Sequence, residues 1–103
     1  MIDDLYTILK EDTQEVVLQL SAKDHPLFQA HFPNNPILPA FALIDILEKV
    51  FQEKIVYIKQ SKFLVQLLPN DILSCQFKHN ENIKNIKIFK NQKKVSEISY
   101  ASK

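Results

Sequence analysis

The sequence predicts an α+β domain in which a curved antiparallel sheet wraps around one central helix. Three observations lead there. One helix-length segment, residues 40–53, has a broad apolar face. Alternating, strand-length segments lie before and after it, separated by turn residues. A helix and a sheet that are each apolar on one face bury those faces against each other, which is a two-layer arrangement. With 103 residues, 46% of them hydrophobic and 24% charged, the chain has material for one small core, so residues 1–103 are read as one domain.

The elements follow in order. In residues 15–20, Val16, Leu18 and Leu20 share one face and Glu15, Val17 and Gln19 the other, which predicts a strand. Residues 5–9 suit a hairpin partner for it across a turn at 11–14, and equally a helix, because Leu5, Tyr6 and Leu9 also share a helical face. Prolines 26, 33, 36 and 39 block ladder hydrogen bonds and disfavour helix at the residue before each, so 24–39 is expected to be an irregular loop. From Ala40 the period becomes helical: Leu43, Ile44, Ile46, Leu47, Val50 and Phe51 sweep one face, and Asp45, Glu48, Lys49 and Gln52 the other. Extended segments at 55–68, 72–77, 83–89 and 95–100, with turn residues between them, predict antiparallel hairpins. Cys75 shares a face with Leu73 and Phe77 and reads as a buried core thiol. Asn recurs at the turns, where it tolerates the positive φ that glycine would otherwise supply.

Composition excludes several classes. There is no glycine, so Gly-rich phosphate cradles and strained Gly-x-Ser-x-Gly elbows cannot form. All 13 basic residues are lysines, which leaves no guanidinium fork for a carboxylate or phosphate. One cysteine and three histidines do not make a four-ligand zinc site, no acid spacing supports a metal at His25 and His31, and no cofactor is expected. His25 and His79 read as ordinary surface or loop residues. The lone cysteine has no intrachain partner, the longest apolar run is short and holds Pro39, and the first four residues are acidic where a secretory signal would be basic. These features predict a cytoplasmic protein with no membrane insertion.

Charge is uneven. Residues 1–53 carry nine acids and three lysines, and residues 54–103 carry three acids and ten lysines. The basic half reads either as a surface that steers an acidic partner or as lysines guarding exposed strands. Aromatics do not interleave with the lysines, so nucleic acid is not expected.

Candidate chemistry concentrates where the proline loop meets the helix. His31 carries the side chain whose ordinary pKa lies nearest neutrality, and it reads either as a structural loop residue or as a proton carrier. Pro39 suits the first helical position. No capping side chain directly precedes it, so the N–H groups of Ala40, Phe41 and Ala42 are open to a developing oxyanion or to water. Asp45 shares its helix face with Glu48 and Gln52. It is a solvent-facing polar residue, unless a second subunit covers that face, in which case apolar neighbours raise its pKa and make it a proton donor.

The segment His31-Phe32-Pro33-x-x-Pro36-Ile37-x-Pro39, followed by Asp45, resembles the active-site segment of the hotdog-fold 3-hydroxyacyl-acyl-carrier-protein dehydratases. Lys62-Phe63 and Leu68-Pro69-Asn70-Asp71 resemble two further elements of that family. The likeness covers roughly residues 15–100. It implies the hotdog fold and a homodimer in which His31 abstracts the α-proton of a 3-hydroxyacyl thioester while Asp45 of the other subunit protonates the leaving hydroxyl. It further implies that the Ala40 N–H holds the thioester carbonyl, that Phe32, Pro39 and Phe41 help bind substrate, and that an acyl carrier protein docks on the basic half. Asn34 and Ala40 stand where the family usually has glycine. The aspartate, in place of glutamate, and the short amino end are closest to the short ApeI-like dehydratases. Two other readings stay open: a hotdog thioesterase in which Asp45 activates water, and a non-catalytic acyl- or carrier-binding module, suggested by the Cβ at Ala40.

Overall fold

In the computed structural model, which describes residues 4–30, 34–80 and 82–102, the chain forms β1 (Tyr6–Glu11), β2 (Glu15–Leu20), α1 (Pro26–Ala30), α2 (Ala40–Phe51), β3 (Ile55–Phe63), β4 (Ile72–Asn80), β5 (Ile83–Lys90) and β6 (Lys93–Ser102). The six strands form one antiparallel sheet in the order β1-β2-β4-β5-β6-β3. Residues 5–9 therefore enter a hairpin and not a helix: β1 pairs with β2 from Tyr6 opposite Leu20 to Glu11 opposite Val16, with a bulge at Leu9. The turn is held by Asp12, whose Oδ1 accepts the N–H groups of Gln14 and Glu15 at 2.8 Å each. Those two bonds hold the Asp12 carboxyl below its ordinary value.

Alternation decides what faces inward. Val16, Leu18 and Leu20 of β2, Leu73 and Cys75 of β4, Ile86 and Ile88 of β5, and Ile98 and Tyr100 of β6 are all buried. Against this concave face α2 buries Ala42, Leu43, Ile46, Leu47 and Val50. Each large apolar side chain removed from water in this way contributes about 1.5–3 kcal/mol. The helix closes on Gln52 in the left-handed conformation, whose N–H donates to the Glu48 and Lys49 carbonyls. Glu48 is not merely a solvated residue, because its Oε2 accepts the Ile55 N–H at 2.8 Å and ties the helix end to the start of β3. Beside it, Glu53 Oε1 receives Lys84 Nζ at 2.6 Å and the Tyr100 hydroxyl at 3.2 Å.

Two expectations are corrected. The proline-rich segment is not wholly irregular, since α1 begins with Pro26 at its first position, where a missing N–H costs nothing. His25 caps this helix. It is buried at 7% exposure, its Nδ1 accepts the Leu27 N–H at 3.0 Å and its carbonyl accepts that of Phe28 at 3.0 Å, so it is not an ordinary surface residue. Secondly, 55–68 is not one strand in a hairpin with β4. β3 stops at Phe63 and lies at the far edge of the sheet beside β6. Residues 64–71 then return as a strap: Leu64 and Val65 donate to the Val95 carbonyl, Leu38 donates to Leu67, and Asn70 donates to Ser21.

Positive φ falls at Asn70 and Asn91, as expected of Asn, and also at Gln52 and Gln92. Among the described residues, no helix is long and apolar enough to cross a membrane, and no group of His, Cys, Asp or Glu is placed to hold a metal ion.

Candidate active site

The start of α2 is built by the sequence that precedes it. Pro39 fixes its own φ at −68° with extended ψ, which makes it the N-cap and Ala40 the first helical residue, one position later than the sequence suggested. No side chain caps this end. Of the three donors expected to be open, that of Ala42 is occupied, because it and the Leu43 N–H both reach the Pro39 carbonyl, at 3.1 and 3.2 Å. The Ala40 N–H has no partner among the described residues. An N–H at a helix start, aligned with the helix dipole, suits an oxygen that gains negative charge.

Ala40 and Pro39 border a cavity of about 360 Å³. Its buried floor is Leu38, Leu43, Leu67 and Ser96, and its exposed rim is Ala40, Phe63, Val65 and Gln66. An apolar slot with few polar groups, opening beside a backbone donor that has no partner among the described residues, suits a chain-like apolar ligand with one carbonyl near its end. The strap gives the slot its second wall, and the Pro69-Asn70-Asp71 turn anchors the strap. Asn70 takes φ 67°, and the Asp71 carboxylate accepts the Leu68 N–H at 2.7 Å and pairs with Lys90 at 2.9 Å.

The remaining candidates divide. Phe41 and Asp45 lie one turn apart on the exposed face of α2 and do not line the slot of their own chain. The Asp45 side chain has no hydrogen bond or ion pair among the described residues. His31 and Phe32 lie outside the described residues. A larger cleft, of about 740 Å³, lies at the β1–β2 turn beside the end of β4 and contains none of the candidate residues. Sequence reasoning missed Ser96 and Gln66, whose place in the slot follows from the crossing of β3 to the sheet edge.

Beyond the slot, the free edge of the sheet is apolar. Val56, Tyr57, Ile58, Phe63, Leu64 and Val65 are all exposed, Tyr57 at 62%. Lys54, Lys59 and Lys62 on or beside this edge have no ion-pair partner among the described residues.

Comparison with known proteins follows the same outline. The ApeI-like family model, described as ApeI dehydratase, matches residues 8–102. A 3-hydroxyacyl-[acyl-carrier-protein] dehydratase FabZ of Xanthomonas euvesicatoria is 26% identical over 102 residues, a match spanning 82% of this chain and 66% of that protein. Another FabZ, from Caldanaerobacter subterraneus, is 30% identical over 70 residues, which cover 68% of this chain and 49% of the relative. The chain thus spans less than two thirds of the length of these curated relatives. Among solved structures, a chain of the dehydratase heterocomplex ApeI:P from Xenorhabdus doucetiae superposes with a TM-score of 0.71 at 19% identity, covering 94% of this chain and 96% of its own. That likeness gives the hotdog fold.

Proposed function

Because this chain belongs to the ApeI-like dehydratase family, we propose that it removes water from 3-hydroxyacyl thioesters carried on an acyl carrier protein, forming 2-enoyl thioesters. The acyl chain lies in the slot and the thioester carbonyl accepts the Ala40 N–H. His31 takes the α-proton, the enolate charge falls on the oxygen at the helix start, and Asp45 of a second subunit gives its proton to the departing hydroxyl, which leaves as water. The proton on His31 then returns to the Asp45 carboxylate through solvent. Phe32 and Pro39 flank the reacting carbons, and Phe41, which does not line the slot of its own chain, does so from the second subunit beside Asp45. The basic half of the chain receives the acidic carrier, and a cytoplasmic setting suits the free Cys75 thiol.

The observation that carries this reading is the divergence of Asp45 from its own slot. An exposed acid with no side-chain partner among the described residues, on the helix whose start borders the cavity but turned away from that cavity, supports a role toward a second subunit. The exposed edge supports a homodimer. Across the bulge at Lys59, Ile58 and Ser61 share the inner face, opposite Tyr100 and Ile98, and Tyr57 and Lys62 share the outer one, opposite Ala101 and Glu97. A two-fold axis between Lys59 and Gln60 sets Ile58 across from Ser61 and Tyr57 across from Lys62 of the second copy, like faces together.

The test supplies a 3-hydroxyacyl carrier protein and follows water loss and thiol release by mass spectrometry. Water loss is expected to vanish in His31→Ala and in Asp45→Asn, and mixing the two variants should restore about one quarter of the activity, since half of random pairs hold one intact site. Thiol release that survives His31→Ala would instead mark a thioesterase, and binding without turnover a non-catalytic module. Either result overturns the proposal.

A further inference from the structure

We propose that Ser96 sets the length of acyl chain that the slot admits, an inference that rests on the acyl-thioester reading above. Ser96 occupies an inward-facing position of β6, in line with Ile98 and Tyr100, and its cross-strand neighbours are Ile88 on β5 and Phe63 on β3. The row calls for a large apolar side chain there. It has instead a serine at 1% exposure, whose hydroxyl donates to the Lys62 carbonyl at 2.9 Å. That bond removes the cost of burying the hydroxyl. A serine at this position takes up less room than the isoleucine and tyrosine further along the row.

Ser96 is part of the buried floor of the slot. The other three buried lining residues, Leu38, Leu43 and Leu67, are leucines, so Ser96 is the small member of the floor and the position where a larger side chain would take most room from the slot. At about 30 Å³ per water-sized group, a cavity of 360 Å³ holds about a dozen heavy atoms, which suits an acyl chain of medium length. A residue that ends at Oγ admits the chain terminus, and one that adds methyl groups displaces it.

The experiment measures binding without turnover, so that it stands apart from the dehydratase reading. 2-Oxoalkyl-pantetheine thioethers, which keep the carbonyl but have no thioester to cleave, with saturated chains of graded length are titrated calorimetrically into the wild-type protein, Ser96→Val, Ser96→Thr and Ser96→Ala. In the wild type, affinity should rise about fourfold per methylene until the terminus meets the floor, then level. Ser96→Val and Ser96→Thr, each of which adds one heavy atom on Cβ, should both level about one carbon earlier, and Ser96→Thr keeps the bond to Lys62 and so guards against misfolding. Ser96→Ala should not level earlier. An unchanged levelling point in both Ser96→Val and Ser96→Thr, or an equal loss at every chain length, overturns the assignment. Ligands that bind with the expected break but give no enoyl product from their 3-hydroxy thioester counterparts overturn the dehydratase reading alone.

Discussion

Cys75 lies in the core of β4 between Val16 on β2 and Ile88 on β5, and burial, with a smaller effect of the Glu15 carboxylate, pushes its thiol up to about 12. In the unfolded chain a thiol ionises near its ordinary value of about 8.5. The thiol's contribution to stability is therefore complete below that pH and is lost as pH rises from there toward 12, by up to about 1.4 kcal/mol per pH unit. Urea denaturation at pH 8 and pH 10 should show this fall in the wild type and a smaller one in Cys75→Ala. Tyr100, also pushed up by burial and by Glu53, adds to the fall only above about pH 10, the ordinary value of a phenol. His25→Ala should lower stability by about 1 kcal/mol through loss of the α1 cap, read as a shift in the urea midpoint. The burial of Cys75 was legible because its neighbours at two-residue spacing are apolar. His25 was not, since helix caps are usually Ser, Thr, Asp or Asn. Ser96 was not either, because its burial depends on a strand some thirty residues earlier in the chain.

Strands and helices whose cue is local periodicity were legible: β2 from its alternation, α2 from its apolar face, β1 only as one of two alternatives. The route of β3 was not, since nothing in 55–63 states that its partner is β6 in place of the next strand. α1 was hidden because prolines that forbid helix elsewhere are favourable at a first helical position. A chain without glycine must also place ordinary side chains at positive φ, and glutamine does so at the end of α2 and in the two-residue Asn91-Gln92 loop joining β5 to β6. Both positions disfavour a Cβ. Gln52→Gly and Gln92→Gly should each raise stability by about 1 kcal/mol, measured by urea unfolding, because relief of the left-handed strain outweighs the added flexibility of the unfolded chain.

For the molecule as a whole, the proline-flanked histidine motif and the later aspartate were enough to point to the family, and the order of elements to an α+β sheet around a helix. The candidate site was less legible, because Asp45 faces away from the slot of its own chain and the proposed pairing with His31 of a second subunit does not show as a cluster in one chain. A double variant, Tyr57→Asp with Ile58→Lys, should put unpaired charge on both faces of the β3 edge. By light scattering it should run at the 12.0 kDa of a single chain, with loss of dehydration, while the wild type runs at about twice that mass. In the proposed dimer a second copy completes the exposed apolar rim of the sheet, and that would tie output to abundance. On that proposal, while chains are scarce the population of paired molecules varies as the square of their concentration, so halving expression would cut flux to about one quarter, and once chains are plentiful flux would follow their number in simple proportion.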